Sequence, residues 1–129
     1  MNGSYKLLVV DDSKIMRRLI TGLFDSDDKI HVVGEATDGI EALACVSRLA
    51  PDVITLDINM PGMDGLELMN RVRAIDSDLP VILITGHGDI SMAVNAIRDG
   101  AYDFIEKPFP ADLLADVVKR AMEKRALTI

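Results

Sequence analysis

The chain has 129 residues and a formal net charge of −7, which is enough for one domain of ordinary size and short for two. A hydrophobic share of 49% and a charged share of 27% are typical of a folded globular protein and argue against a disordered one. The acidic balance argues against a nucleic-acid-binding surface, which needs clustered lysines and arginines.

The sequence contains no apolar run long enough to cross a membrane, and residues 1–5 lack the basic start of a secretory signal. The single cysteine, Cys45, lies in an apolar helical pattern, where a small buried side chain is favoured over a reactive thiol. We therefore expect one cytoplasmic domain over residues 1–129, with a core over about residues 5–125.

Five short runs rich in β-branched residues predict strands, and three of them are continuously apolar, as parallel strands covered on both faces are. They span residues 7–10, 31–33, 53–56, 81–85 and 103–105. Pro51 and Pro80 each stand just before a predicted strand, where they do not interrupt a ladder.

Between the strands the apolar period changes to that of helices. The stripes are Ile15, Met16, Leu19, Ile20, Leu23 and Phe24; Ile90, Ala93, Val94 and Ile97; and Leu113, Leu114, Val117, Val118, Ala121 and Met122. Asp38 and Asp89 are predicted N-caps, and Gly100 a helix C-terminal glycine. Five alternations of strand and helix predict a three-layer α/β sandwich with a parallel sheet, and the pattern alone leaves the strand order open.

Acidic residues follow two of the predicted strands, Asp11 and Asp12 after the first and Asp57 after the third. Ligands of open parallel sheets bind beyond the carboxyl ends of the strands. If these two strands are neighbours, the three carboxylates converge and require a cation such as Mg²⁺ to offset their repulsion. A single aspartate here would be interpreted as a helix cap, but the set of three favours a metal site.

Thr85 closes the fourth predicted strand and Lys107 follows the fifth. Each alone has an ordinary explanation, as a β-branched strand residue and as a solvated surface lysine. Beside a carboxylate–metal cluster, however, a hydroxyl and an ammonium indicate that an anion is also held, because both donate to its oxygens.

Four segments of the chain, in this order, resemble the receiver domains of response regulators of two-component signalling. They are LVVDDS at 8–13, LDINMPGMDG at 56–65, TG at 85–86 and KPF at 107–109. The resemblance covers nearly the whole chain and implies a flavodoxin-like sandwich, with five helices and a five-stranded parallel sheet in the order 2-1-3-4-5.

The resemblance also implies roles for particular residues. Asp57 would accept a phosphoryl group, with Mg²⁺ (or Mn²⁺) held directly by Asp12, Asp57 and the backbone carbonyl of Asn59, and by Asp11 mostly through water. Thr85, Gly86 and Lys107 would bind the phosphoryl oxygens, Thr85 and Phe104 would form the switch, and Asn59 and His87 would tune dephosphorylation. Lys107–Pro108 is similar to the family's cis peptide.

The implied partners are a sensor histidine kinase or a phosphotransfer protein, and an output domain or target protein outside this chain. The face formed by the fourth helix, fifth strand and fifth helix, about residues 89–125, would change partners on phosphorylation and could pair two copies. Direct binding of nucleic acid or membrane is not expected. The chain is then a signalling switch rather than an enzyme, with self-phosphorylation from small donors and slow autodephosphorylation.

Two features depart from a uniform family pattern. Residues up to 65 resemble chemotaxis-type receivers, whereas residues from 80 onward resemble those of enhancer-dependent transcription regulators. Phe104 stands where many relatives carry tyrosine, which removes the hydroxyl of the switching ring but keeps its bulk.

Three other interpretations fit the sequence less well. The segment GHGDIS at 86–91 imitates a dinucleotide-binding turn but lacks its third glycine. A phosphohydrolase of the haloacid dehalogenase type would need an acid/base aspartate two residues after the nucleophile, where Asn59 stands. A receiver-like module that acts through contacts alone would have lost an acidic residue, the acceptor or the lysine, and all are present.

Overall fold

The computed structural model describes residues 4–60, 65–86 and 90–128, over which five strands alternate with five helices as predicted. The strands are β1 (Tyr5–Val10), β2 (Ile30–Ala36), β3 (Val53–Asp57), β4 (Val81–Thr85) and β5 (Asp103–Glu106). The helices are α1 (Lys14–Gly22), α2 (Gly39–Leu49), α3 (Gly65–Ile75), α4 (Ile90–Arg98) and α5 (Ala111–Thr128). None of these helices combines the length and apolar character needed to cross a membrane.

All strand pairs are parallel, and the sheet order is β2-β1-β3-β4-β5. This is the order that the family resemblance implied. The chain reverses its direction of winding between β1 and β3, where Val10 pairs with Leu56. The carboxyl ends of these two strands therefore open onto the topological switch point, which is the usual ligand position of such sheets.

The strands separate two hydrophobic cores, because successive side chains of a strand point to opposite faces of the sheet. Leu8, Val10 and Ile54 pack with α2, α3 and α4 on one side, in a cluster that also buries Cys45. Leu7 and Val9 pack with α1 and α5 on the other side. Helices thus cover both faces, as the continuously apolar strands predicted.

Helix ends follow the predicted signals where the structure describes them. Asp38 caps α2, its side chain accepting a hydrogen bond from the amide of Glu41 at 2.8 Å. Gly100 ends α4 with φ +124°. Its amide donates to Ile97 O and that of Ala101 to Ala96 O, the two bonds of a Schellman motif. The predicted cap at Asp89 lies outside the described residues.

The structure adds detail that the patterns did not give. β2 is longer than the predicted strand, and its pairing with β1 shifts register between Leu7 and Leu8. Ile15, although part of the predicted apolar stripe of α1, is 82% exposed, and Leu19 is exposed as well. Only four residues of the stripe pack against the sheet, namely Met16, Ile20, Leu23 and Phe24. The predicted apolar stripe is wider than the surface that α1 covers.

Candidate functional site

Three aspartates meet at the carboxyl edge of the sheet, as their sequence positions predicted. Asp11 and Asp12 follow β1, and Asp57 is the last residue of β3. Each offers a carboxylate oxygen, and these oxygens lie within 4.8 Å of one another. Asp11 and Asp57 are buried while Asp12 is exposed, so the cluster has two anchored carboxylates and one that faces solvent.

Helix capping does not explain the two aspartates after β1. Ser13 is the N-cap of α1, and its hydroxyl accepts from the amide of Met16 at 3.2 Å. Asp11 instead accepts a hydrogen bond from the amide of Ser13 at 2.9 Å. The carboxylate of Asp12 has no hydrogen bond or ion pair with any other residue in the described ranges. The cap is provided by the serine, which leaves Asp12 available to a ligand.

Lys107 supplies positive charge to the cluster. Its Nζ lies 3.5 Å from Asp11 Oδ2 and 3.6 Å from Asp57 Oδ2. The backbone holds this position, since the amide of Lys107 donates to Thr85 O at 2.8 Å just beyond the β4–β5 ladder. The Lys107–Pro108 peptide is cis, as the resemblance implied. One ammonium faces three carboxylates, so the site carries an excess of negative charge.

Asp57 is almost fully buried, with 3% of the residue exposed. Its burial raises the pKa of its carboxyl group above the ordinary value, and the charges of Asp11 and Asp12 act in the same direction. The hydrogen bond from the amide of Asn59, 2.9 Å from Oδ1, and the charge of Lys107 lower the pKa without cancelling the effect of burial. A bound cation would lower the pKa of Asp57, because its charge favours the ionised carboxylate.

Thr85 closes β4 next to this cluster and is fully buried. Its Oγ1 has no hydrogen-bond partner among the described residues. A buried hydroxyl without a partner costs free energy and is usually explained by a ligand or by water. Gly86, half-buried, continues the chain beyond it.

Phe104 of β5 lies beside Thr85 of β4 in the sheet. Leu83 pairs with Phe104 and Thr85 with Glu106, so Phe104 and Thr85 are diagonal neighbours on the same face of adjacent strands. The ring is half-buried against the core on the α2, α3 and α4 side. The predicted switch pair is therefore adjacent in the sheet.

The remaining predicted residues lie in the loops after β3 and β4. The backbone amide of Asn59 donates a hydrogen bond to Asp57, while the Asn59 side chain is exposed at the rim of the site. His87 lies outside the described residues.

A glycine is required where α3 begins beside the loop after β3. A Cβ on Gly65 would approach the backbone of Ile58 to 2.7 Å, so only glycine lets α3 begin this close to the loop.

Sequence reasoning missed three residues around the cluster. Ser13 is the N-cap of α1, and its signal is a serine just before an apolar helical stripe. Arg17 donates to the carbonyl oxygen of Asp11 at 2.9 Å and to Glu35 at 3.1 Å. No spacing rule signals the contact between Arg17 and Glu35, because it joins α1 to β2, two elements that meet only in the folded chain.

Comparison with known families gives a match over most of the chain. The family described as the response regulator receiver domain matches residues 7–119. That range contains the three aspartates, Thr85, Phe104 and Lys107.

Some relatives are much longer than this chain, and others are about as long. The C4-dicarboxylate transport transcriptional regulatory protein DctD of Rhizobium meliloti (strain 1021) is 44% identical over all of this chain, which spans 28% of that protein. The chemotaxis protein CheY of Listeria monocytogenes is 43% identical over 90% of this chain and 97% of its own length. The crystal structure of the receiver domain of NtrX from Brucella abortus superimposes with a TM-score of 0.83 at 45% identity, covering 91% of this chain and 98% of that one.

Proposed function

The chain belongs to the family of response regulator receiver domains of two-component signalling, and we propose that it is a phosphorylation-controlled switch in which Asp57 accepts the phosphoryl group. One observation carries the proposal. The carboxylate of Asp57 is buried at the end of β3, beside the carboxylates of Asp11 and Asp12 and 3.6 Å from the ammonium of Lys107.

The proposed reaction is a transfer from phosphohistidine of a sensor kinase or a phosphotransfer protein. A carboxylate oxygen of Asp57 attacks phosphorus; the new O–P bond forms as the N–P bond breaks, and the imidazole nitrogen leaves with the electron pair. A carboxylate is a competent nucleophile when nearby positive charge offsets its repulsion from the anionic donor. Lys107 provides part of that charge, and the fixed strand ends provide the alignment that phosphoryl transfer needs.

The donor set of the cluster fits a hard divalent cation, for which carboxylate and carbonyl oxygens are the preferred ligands. Asp12 and Asp57 would hold Mg²⁺ through their side chains, Asn59 through its backbone carbonyl and Asp11 mostly through water, and Mn²⁺ would be accepted in the same place. The ion would neutralise charge on the transferring phosphoryl oxygens. The exposed carboxylate of Asp12, which has no partner among the described residues, supports this assignment.

Thr85, Gly86 and Lys107 would bind the phosphoryl oxygens once the group is attached. The buried hydroxyl of Thr85 has an unused donor, and Lys107 already lies within reach of Asp57. Charge-assisted hydrogen bonds of this kind are about twice as strong as neutral ones.

The switch follows from the same residues. As Thr85 moves toward the phosphoryl group, the ring of Phe104 takes the space it leaves on the shared face of β4 and β5. A nearly complete shift between two states needs about 5 kcal/mol of differential stabilisation. A dianionic group with charge-assisted partners is a source of that size. The affected surface is that of α4, β5 and α5, which would serve an output domain, a target protein or a second copy of the chain.

In this proposal the chain signals in the cytoplasm and is not an enzyme toward other substrates. Self-phosphorylation from small donors and slow loss of the phosphoryl group would be properties of the site itself. Because the chain spans 28% of the DctD relative but 97% of the CheY relative, both an attached output domain and a separate target protein are compatible with it. Asn59 and His87 would set the phosphoryl lifetime.

Intact-mass spectrometry after incubation with acetyl phosphate and Mg²⁺ tests the proposal. We expect one phosphoryl adduct that is lost in Asp57→Asn and in the presence of a chelator. Asp52→Asn is the matched control, since Asp52 lies at the opposite end of β3. Steady release of phosphate from a generic ester would instead indicate a phosphohydrolase. Failure with both acetyl phosphate and phosphorylated kinase would leave a module that acts through contacts alone.

A further inference from the structure

Arg17 connects the acidic cluster to the edge of the sheet. It lies in the second turn of α1, and its side chain is only 14% exposed. One end of the guanidinium, Nη1, donates to the backbone carbonyl of Asp11 at 2.9 Å. Nε donates to Glu35 Oε1 on β2 at 3.1 Å. A planar guanidinium can serve both acceptors at once, whereas the single ammonium of lysine lacks this fork.

The carbonyl that Arg17 holds belongs to the peptide that joins Asp11 to Asp12. On the other side of this peptide, the amide of Asp11 donates to Ala36 O at 3.0 Å, and beyond it the chain leaves the sheet. The Arg17 contact therefore restrains the peptide plane from which the side chain of Asp12 projects, together with the hydrogen bond from the Ser13 amide to Asp11 Oδ1 at 2.9 Å.

The partner of Arg17 is itself held. Glu35 Oε2 accepts from the hydroxyl of Thr21 on α1 at 3.4 Å, while Oε1 accepts from Arg17. The carboxylate of Glu35 thus fixes the guanidinium from a strand that carries none of the proposed ligands. Asp12 has no side-chain partner among the described residues, so its direction depends on its backbone.

We propose that Arg17 is a positioning residue for the cation site: through the Asp11–Asp12 peptide it aims the carboxylate of Asp12 at the bound metal ion. This inference rests on the proposed function, because it presumes that the three aspartates bind a divalent cation. Residues that orient metal ligands typically contribute about 10- to 100-fold to metal affinity.

The sign of the effect separates positioning from charge. Arg17 is a cation beside a cation site, so by Coulomb's law its removal should strengthen metal binding if charge were its main contribution. Positioning gives the opposite result, a weaker affinity. Arg17→Lys keeps the charge but not the fork, and it should therefore also weaken binding.

The test is Mn²⁺ affinity of the whole chain, measured by electron paramagnetic resonance at a temperature where each metal-free variant is folded by circular dichroism. We expect Arg17→Ala to weaken binding about tenfold and Arg17→Lys to weaken it by a smaller factor. Arg18→Ala, which removes the same charge from an exposed neighbour, should leave the affinity unchanged or slightly higher. Glu35→Ala should reproduce part of the loss, and combining it with Arg17→Ala should add little, because the two residues act together.

One outcome would overturn the inference and leave the proposed function standing. In it, the wild type binds one Mn²⁺, Asp12→Asn loses this binding, and Arg17→Ala binds Mn²⁺ with undiminished affinity. Wild type that binds no Mn²⁺ would overturn both. Arg17→Lys covers the case in which Arg17→Ala does not fold, since its longer side chain still fills the space beside β2.

Discussion

Arg125 of α5 binds the carboxylate of Asp76, the residue just after α3, through two hydrogen bonds. Nη2 donates to Oδ2 at 2.6 Å and Nη1 to Oδ1 at 3.3 Å. The Nε of Arg125 lies 3.8 Å from Asp52 before β3, and the arginine side chain is only 10% exposed. This paired contact ties the last turns of α5 to the amino-terminal edge of the sheet, opposite the acidic cluster.

Asp76→Asn should lower the free energy of unfolding by about 1.5–3 kcal/mol, the contribution of hydrogen bonds to a charged group. Arg125 lowers the pKa of Asp76, so the stabilisation is present above the ordinary carboxyl pKa of 3.8 and is lost as the pH falls through the lowered value. Urea titrations at neutral and acidic pH should therefore differ between wild type and variant, then converge. Asp116→Asn, which breaks only an exposed pair with Arg120, should cause no measurable change.

Asp57→Asn should stabilise the metal-free chain at neutral pH, by about 1 kcal/mol. The pKa of Asp57 is raised by burial, so its ionisation costs folding free energy above the raised value and nothing below 3.8, where both states are protonated. Thermal melts should show the gain of the variant vanish in acid. Added Mg²⁺ should reverse the order, stabilising wild type by about 2.7 kcal/mol at one hundred times Kd. A variant that Mg²⁺ stabilises equally would contradict the proposed ligand set.

Lys107→Met should slow phosphorylation of Asp57 by acetyl phosphate about 10²- to 10³-fold, because the ammonium 3.6 Å from the carboxylate would no longer offset the charge of the donor. The rate of adduct formation, followed by intact mass at saturating Mg²⁺, measures this. Lys29→Met, an exposed lysine just before β2, is the control and should react at the wild-type rate. Equal rates for the two variants would remove Lys107 from the proposed site.

Thr55→Val should raise the unfolding free energy by about 1 kcal/mol and leave phosphorylation intact. Thr55 is fully buried in β3, and its hydroxyl has no partner among the described residues, so an isosteric apolar side chain removes a desolvation cost. Thr85→Val makes the same change on the neighbouring strand and should abolish the response of the α4–β5–α5 surface to phosphorylation. Amide chemical shifts with and without acetyl phosphate distinguish the two threonines. Identical responses would mean that Thr85 has no special role.

Gly100→Ala should destabilise the chain by about 1–3 kcal/mol. Gly100 has φ +124°, and an added Cβ would overlap Nη1 of Arg73, whose guanidinium donates to the carbonyls of Asp99 and Ser77 at 3.1 Å. Chemical denaturation measures the loss. Gly22→Ala, where a Cβ meets nothing within 4 Å, should be neutral or up to about 1 kcal/mol stabilising.

Much of the fold was predictable because its signals are local. The continuously apolar strands, the cap at Asp38 and the glycine at Gly100 each express one physical preference over a few residues. The strand order came from the family resemblance, since nothing in a strand's own residues states which strand it will pair with. The limits of β2 were wrong because Gly34 and Glu35 interrupt its apolar run, yet pair along β1.

The candidate site divides in the same way. Asp11, Asp12 and Asp57 were found because they end strands, and the convergence of strand ends is a general property of parallel sheets. Arg17 and Glu35 were not found because their contact depends on how α1 lies across the edge of β2, which no pattern in either segment records. The exposure of Ile15 was missed for a related reason: periodicity gives the direction of a helical face but not the width of the surface that it meets.

The burial of Cys45 in α2 makes the chain its own reporter of unfolding. Cys45 is the single cysteine of the sequence. Because it is buried, it reacts with a thiol reagent only when the packing around α2 opens. Labelling rates across a denaturant series then give the free energy of opening at this one site. Because the native thiol is buried in the folded chain, a cysteine introduced at an exposed position can be labelled with a dye without competition from Cys45.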